Sequence, residues 1–184
     1  HFEQEEVFSI NERIIVAPVL VKKRNRVKVF LPFCKEGWFD YFNLKFISRG
    51  GWVNINAPIN KLPIIIRGGT LIPKLKINFH KPHLAPIKEM IIFPSLIDIS
   101  LKQENLPLIF DDGETTDYVI GQNHILTPQI TIKKNKLSLL FNSTGKGNIQ
   151  NEKIILRYPN CYELNLKNFL KFFIKKSYIH SYKK

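Results

Sequence analysis

The stretch Gly51–Pro73, GWVNINAPINKLPIIIRGGTLIP, decides the fold. Trp52 to Asn56 and Ile64-Ile65-Ile66 are short β-type runs separated by Pro and Asn, at the spacing of strands in a β-sandwich. Gly50-Gly51 and Gly68-Gly69 supply the positive-φ positions that tight turns between such strands require. Toward the amino terminus, Ile14-Ile15-Val16 and Val27 to Leu31 read as strands, the second alternating between faces until Pro32 ends it. Trp38 to Phe42 follows. Beyond Pro73 the pattern loosens from Lys74 to Lys88, where Pro82 and Pro86 bracket His83, and a linker or irregular connection with a domain boundary is expected. Strands resume at Met90 to Phe93, Ile97 to Leu101, Leu108 to Phe110, Gln129 to Ile132, Leu137 to Phe141 and Ile154 to Arg157. Asn135 sits where a hairpin turn would join the fourth and fifth of these. Tyr162 to Lys184 is basic and aromatic without a clear period, and no internal repeat stands out. Almost no amphipathic stretch is long enough for a helix, so the expected class is all-β.

The composition fits such a chain. At 184 residues and 44% hydrophobic, there is enough apolar matter for one sizeable globular unit or two small ones. No run approaches the roughly 18 to 20 apolar residues of a membrane span, so no membrane-crossing segment is expected. The chain begins at His1 with no charged-then-apolar leader, and it reads as a soluble fragment or mature piece. Cys34 and Cys161 lie far apart and are taken as free thiols. A net charge of +13 raises a nucleic-acid partner. The lysines, however, are scattered as singles and pairs among Ile and Asn, which is compositional drift rather than a binding face. No nucleic-acid partner is expected. A basic interaction module using Lys133, Lys134, Lys171, Lys175 and Lys176 is the rival.

The chemistry-bearing residues have structural readings beside functional ones. Asp111, Asp112, Glu114 and Asp117 form an acidic cluster around Gly113. Neighbouring strand residues point to opposite faces, and the spacing does not match a calcium loop, so a structural turn is expected. Trp38, Tyr41 and Trp52 suit either a sandwich core or a sugar-stacking platform, and core packing is expected. Arg67, after an apolar strand and before two glycines, is expected in a salt bridge or backbone carbonyl contact that holds this sandwich to a neighbouring domain, rather than on a ligand. His80 and His83 flank Pro82 without a third ligand, so no metal is expected. Asn142-Ser143-Thr144 is the one glycosylation match. Catalytic, cofactor-binding and metal-ligating residues are therefore all expected to be none, and no cofactor is implied.

Four segments, in order, resemble the region after the catalytic barrel in glycoside hydrolase family 31 α-glucosidases. Ile14 to Leu20, IIVAPVL, is similar to the family's apolar strand leaving the barrel. Val27 to Pro32 followed by Gly37-Trp38-Phe39-Asp40-Tyr41 is similar to its next passage. Gly51 to Pro73 is the most specific match. Phe110 to Tyr118, FDDGETTDY, resembles a turn of a second sandwich. The resemblance covers roughly His1 to Tyr118. Cys34-Lys35-Glu36 lengthens one turn, and Leu44 stands where a turn glycine is usual.

The resemblance implies two consecutive small β-sandwich domains, proximal and distal carboxy-terminal, with the catalytic TIM barrel outside the sequence. Residues 1–12 would be a remnant of the barrel's last connection, 13–75 the proximal sandwich and 76–184 the distal one. It implies a parent hydrolase of carbohydrate metabolism, a retaining, exo-acting glycosidase that removes terminal α-linked glucose. Such an enzyme uses two carboxylates about 5 to 5.5 Å apart at the carboxyl ends of barrel strands. Neither the nucleophile nor the acid/base motif occurs here, so this chain alone is expected to be inactive. Its implied partners are its own catalytic barrel and, through the parent enzyme, an α-glucoside. A stand-alone carbohydrate-binding module is the alternative, and family members acting on xylosides or galactosides remain open. The secretory pathway or lysosome is slightly favoured among the family's compartments.

Overall fold

The computed structural model describes residues 7–75, 87–102, 108–110, 124–134, 136–145, 154–159, 163–167 and 174–179. Every element among them is a strand, so the chain is all-β. It divides into two compact units, His1–Thr70 with Phe93–Ile97, and Leu71–Ile92 with Asp98–Lys184.

In the first unit, β1 (Phe8–Ile10), β2 (Ile14–Val16), β4 (Trp38–Asp40), β5 (Phe46–Ser48) and β7 (Ile64–Arg67) form a sheet in the order β1-β2-β7-β4-β5. The strands β3 (Arg26–Leu31) and β6 (Gly51–Asn56) make a two-stranded antiparallel ribbon, with Val29 opposite Val53 and Phe30 opposite Trp52. Alternation along β3 sends Val29 and Leu31 inward and leaves Lys28 outside. Ile15, Ala17, Trp38 and Ile65 from the sheet side meet Val29, Leu31 and Ile55 from the ribbon in one buried cluster. Each such aliphatic side chain removed from water contributes about 1.5–3 kcal/mol.

The expected strand at Trp38 to Phe42 stops at Asp40. The Asp40 carboxylate Oδ1 accepts from the Phe42 and Asn43 amides at 2.8 and 3.1 Å. A side chain that satisfies the next amides in this way turns the backbone out of the ladder. The turn ends at Leu44, whose φ is 58° and whose side chain is buried. Leucine thus keeps the left-handed backbone of a turn glycine and adds a core side chain. Of the two glycine pairs, Gly50, Gly51 and Gly69 do take positive φ, whereas Gly68 does not. Gly68 serves close approach instead: a Cβ there would meet the Glu36 carbonyl oxygen at 2.5 Å and the Pro94 carbonyl oxygen at 2.8 Å.

In the second unit, β8 (Leu71–Leu75), β9 (Ile87–Ile92), β14 (Ile154–Pro159) and β16 (Ile174–Ile179) form a sheet in the order β16-β14-β9-β8. Lys74 and Lys88 therefore belong to paired strands rather than to a linker, and residues 76–86 between them lie outside the described residues. Pro73 continues β8 instead of ending it, because β8 is an edge strand. The other sheet runs β10 (Ile99–Lys102), β12 (His124–Lys133), β13 (Lys136–Gly145) and β15 (Glu163–Lys167), with β11 (Leu108–Phe110) also on β12. Pro128, which has no amide hydrogen, falls where β12 changes partner from β11 to β10. Ile130, Ile132, Leu137 and Leu139 are buried at alternate positions of β12 and β13. That ladder ends at Lys133↔Lys136, as a hairpin requires, although Asn135 itself lies outside the described residues. The tail, without a period in sequence, supplies β15 and β16, both pairing in parallel.

Candidate functional site

The polar residues of the first unit gather in three places. The first surrounds Asp40, whose Oδ2 accepts from Lys61 Nζ at 2.8 Å while Oδ1 fixes the turn. Lys61 Nζ also stands 4.9 Å above the Phe42 ring, so one lysine ties the turn to the segment ahead of β7.

The second lies at the end of the β2–β7–β4 row. Cys34-Lys35-Glu36, the lengthened turn, closes with Gly37 N–H donating to the Cys34 carbonyl at 3.2 Å. That geometry brings Glu36 against Arg67: Nη2 donates to both carboxylate oxygens at 3.2 Å. Arg67 is therefore held in a salt bridge inside its own unit. The Cys34 thiol also donates to Glu36 Oε2, at 3.1 Å. Burial pushes the Glu36 pKa up, but the bonds from Cys34 and Arg67 and the arginine's charge outweigh it and hold the group below the ordinary glutamate value. Burial, followed by the bond to Glu36 and that carboxylate's charge, pushes the Cys34 thiol up. For Arg13, burial comes first and the neighbouring Arg67 second, and both lower its pKa.

The third is the outer face of the β3–β6 ribbon. Trp38 is in the core, 3% exposed, with its indole N–H donating to the Pro32 carbonyl at 2.8 Å. Tyr41 is half-buried and stacks on Phe93 with ring centroids 6.2 Å apart. Trp52 departs from the expected core packing: it is 47% exposed. Its strand sends Ile55 inward and Trp52, Asn54 and Asn56 outward. Phe30 meets it edge-on at 5.5 Å and Lys28 Nζ lies 4.9 Å from its ring centre. Cross-strand register adds the pairs Lys28↔Asn54 and Arg26↔Asn56 along the same outer face.

Asp111, Asp112, Glu114, Asp117, His80, His83, Cys161 and Lys171 lie outside the described residues. Among the described residues, no three His, Cys, Asp or Glu side chains gather as a metal site. Asn142 and Thr144 of the glycosylation match are exposed on β13, as are Lys133 and Lys134 at the hairpin tip. Among the described residues, no helix is long and apolar enough to cross a membrane.

These ladders, with loops locked by carboxylates and an aromatic strip on one ribbon, define an all-β sandwich-type protein. Residues 1–72 match the family model of the glycosyl hydrolase family 31 C-terminal domain. Human neutral alpha-glucosidase C is 33% identical over 72 residues, 39% of this chain and 8% of that protein. Neutral alpha-glucosidase AB of Dictyostelium discoideum is 29% identical over 165 residues, 84% of this chain and 17% of that protein. A glucose complex of the family 31 dextranase from Flavobacterium johnsoniae superposes with a TM-score of 0.69 at 22% identity, over 86% of this chain and 20% of the dextranase. Over residues 1–72 the chain is thus similar to the carboxy-terminal domain of glycoside hydrolase family 31. It spans only 8% to 17% of the length of the first curated relatives it matches.

Proposed function

We propose that the chain is the non-catalytic carboxy-terminal β-sandwich portion of a retaining, exo-acting α-glucosidase. It packs on the catalytic barrel and stiffens it, and the parent enzyme hydrolyses terminal α-linked glucose. The observation that carries this reading is the match of residues 1–72 to the family's C-terminal domain. The α-glucosidase names of the curated relatives support the substrate class. Residues 1–12 are then the remnant of the barrel's last connection, with 13–75 proposed as the proximal sandwich and 76–184 as the distal one, bounds that differ from the compact units in counting Leu71–Leu75 with the first and Phe93–Ile97 with the second. No residue of this chain is assigned to catalysis, a cofactor or a metal.

Two measurements test the reading. The purified chain should show no turnover of 4-nitrophenyl α-glucoside. Added to the catalytic part of the Dictyostelium relative made without its own carboxy-terminal region, it should associate and raise that part's melting temperature. Turnover by the chain alone, or no association at any concentration, would refute the proposal.

The exposure of Trp52 favours a second reading, a carbohydrate-binding surface on the β3–β6 ribbon. An aromatic face suits the apolar side of a pyranose, and Asn54, Asn56 and Lys28 offer hydrogen bonds to its hydroxyls. Titration calorimetry with maltose on the chain and on Trp52→Ala decides it: heat that the substitution abolishes supports the surface, and no heat from either removes it.

A further inference from the structure

The run Lys22-Lys23-Arg24-Asn25-Arg26-Val27-Lys28 gathers five cations in seven residues, and no Asp or Glu occurs from Arg13 to Lys35 or from Tyr41 to Lys88. All five cations are exposed. The loop ahead of β3 is closed by its own backbone: Arg24 N–H donates to the Val21 carbonyl at 3.3 Å, and Lys23 takes a φ of 65°. The Asn25 carbonyl then accepts from Ala57 N–H at 2.7 Å, which ties the loop to the end of β6. From there β3 carries the charge onto the ribbon. By alternation, Arg26, Lys28 and Phe30 share the outer face with their β6 partners Asn56, Asn54 and Trp52. The result is an open strip about 13 Å long, with cations at the loop end and the aromatic pair at the other. Lys28 Nζ stands 4.9 Å from the centre of the Trp52 ring. An exposed contact of that kind is weaker than a charge-assisted hydrogen bond, so an arriving anion draws the ammonium off the ring and uncovers its face.

We propose that this face of the β3–β6 ribbon, with the loop that precedes it, binds an acidic polysaccharide, a pyranose chain bearing carboxylate or sulfate groups. Trp52 offers its ring to the apolar side of a pyranose. Asn54 and Asn56 offer donors and acceptors to hydroxyls, and Arg26 and Lys28 opposite them answer the acidic groups. Single-stranded nucleic acid is held by successive aromatic platforms, whereas Phe30 is half-buried and meets Trp52 edge-on, which leaves this strip one exposed ring. The inference goes beyond the maltose surface considered above: it names a charged ligand and does not need a neutral sugar to bind.

The test is titration calorimetry of the chain, at about 0.15 M sodium chloride, with four probes of matched length: a galacturonate oligomer, a heparin oligosaccharide, a maltooligosaccharide and oligo-dT. At least one acidic glycan should bind about tenfold or more tighter than the neutral one. Arg26→Gln combined with Lys28→Gln, and separately Trp52→Ala, should each weaken that binding by about tenfold. Lys133→Gln combined with Lys134→Gln removes the same charge from exposed positions of the second unit and should change nothing. Whichever acidic glycan binds identifies the acidic group. Equal losses from the two lysine and arginine pairs would reduce the effect to net charge and overturn the site. An unchanged affinity in Trp52→Ala, or oligo-dT binding tighter than both acidic glycans, would overturn it as well. Maltooligosaccharide binding alone would defeat the inference while leaving the neutral-sugar reading intact; acidic-glycan binding alone, sensitive to Trp52, would do the reverse.

Discussion

Trp38 and Trp52 belong to the same unit and both lie in strands, yet one is 3% and the other 47% exposed. Trp38 is on β4, between β7 and β5, and faces the ribbon residues Val29 and Leu31 in the shared cluster. Trp52 is on the ribbon itself, whose inward positions Val29 and Ile55 are already taken by aliphatic side chains. Side-chain parity, rather than residue type, thus decides which aromatic becomes core. Around Trp38 the loops are also locked by polar contacts with few alternatives, whereas around Trp52 the contacts are between side chains on an open face.

The comparison is sharpest at Gly68, on the Trp38 side. Gly68→Ala would drive a methyl into two backbone carbonyl oxygens at 2.5 and 2.8 Å, and neither can swing away as a side chain would. The expected loss exceeds about 3 kcal/mol, measured by urea unfolding followed by tryptophan fluorescence; wild-type stability would show that the loop gives way. Trp38→Phe should cost about 2–4 kcal/mol, from the vacated volume and the Pro32 carbonyl left without its donor. Asp40→Ala removes the carboxylate oxygen that accepts from two amides, and with it the Lys61 ion pair, for about 1–2 kcal/mol. Trp52→Ala, on the other side, should cost under about 1 kcal/mol. A loss from Trp52→Ala equal to that from Trp38→Phe would erase the distinction between the two regions.

The smallest effect is in pH dependence. Glu36 has a folded pKa below its ordinary value, so its contribution is present above the unfolded pKa of about 4.3 and is lost as pH falls through the lower folded value. Cys34, raised in the folded state, acts in the opposite sense and contributes only below the alkaline range. The melting temperature of the chain should therefore fall below about pH 4.3 more steeply in wild type than in Glu36→Gln. Parallel acid limbs for the two proteins would deny Glu36 that part.

Much of the first unit was legible because its strands are bounded by Pro, Gly and Asp. The strand at Ile14–Val16 coincides with the expectation, and those at Arg26–Leu31, Gly51–Asn56 and Ile64–Arg67 differ only at an end. Long β12 and β13 are legible only in their apolar halves beside the hairpin, since Thr127, Asn142 and Thr144 carry the rest of the ladder without looking like strand. Parallel pairings such as β9 with β14 join distant segments, which local pattern does not reveal. At the candidate sites, Arg67 was visible as an ion-pairing residue, but its partner arrives through the lengthened turn at Glu36. Trp52 was misread because its residue type suits both faces of a strand.

The return of Phe93–Ile97 to the first unit has a consequence for how the chain can be made and divided. Thr70 O accepts from Phe93 N–H, Gly69 N–H donates to Phe93 O and Pro94 O, and Glu36 O accepts from Leu96 N–H. A ribosome that has released only residue 70 has therefore delivered an unfinished unit, and the β8 and β9 segments must emerge before its last hydrogen bonds can form. A protease or a recombination breakpoint between the units faces the same constraint: no single cut separates them without taking five residues from the first.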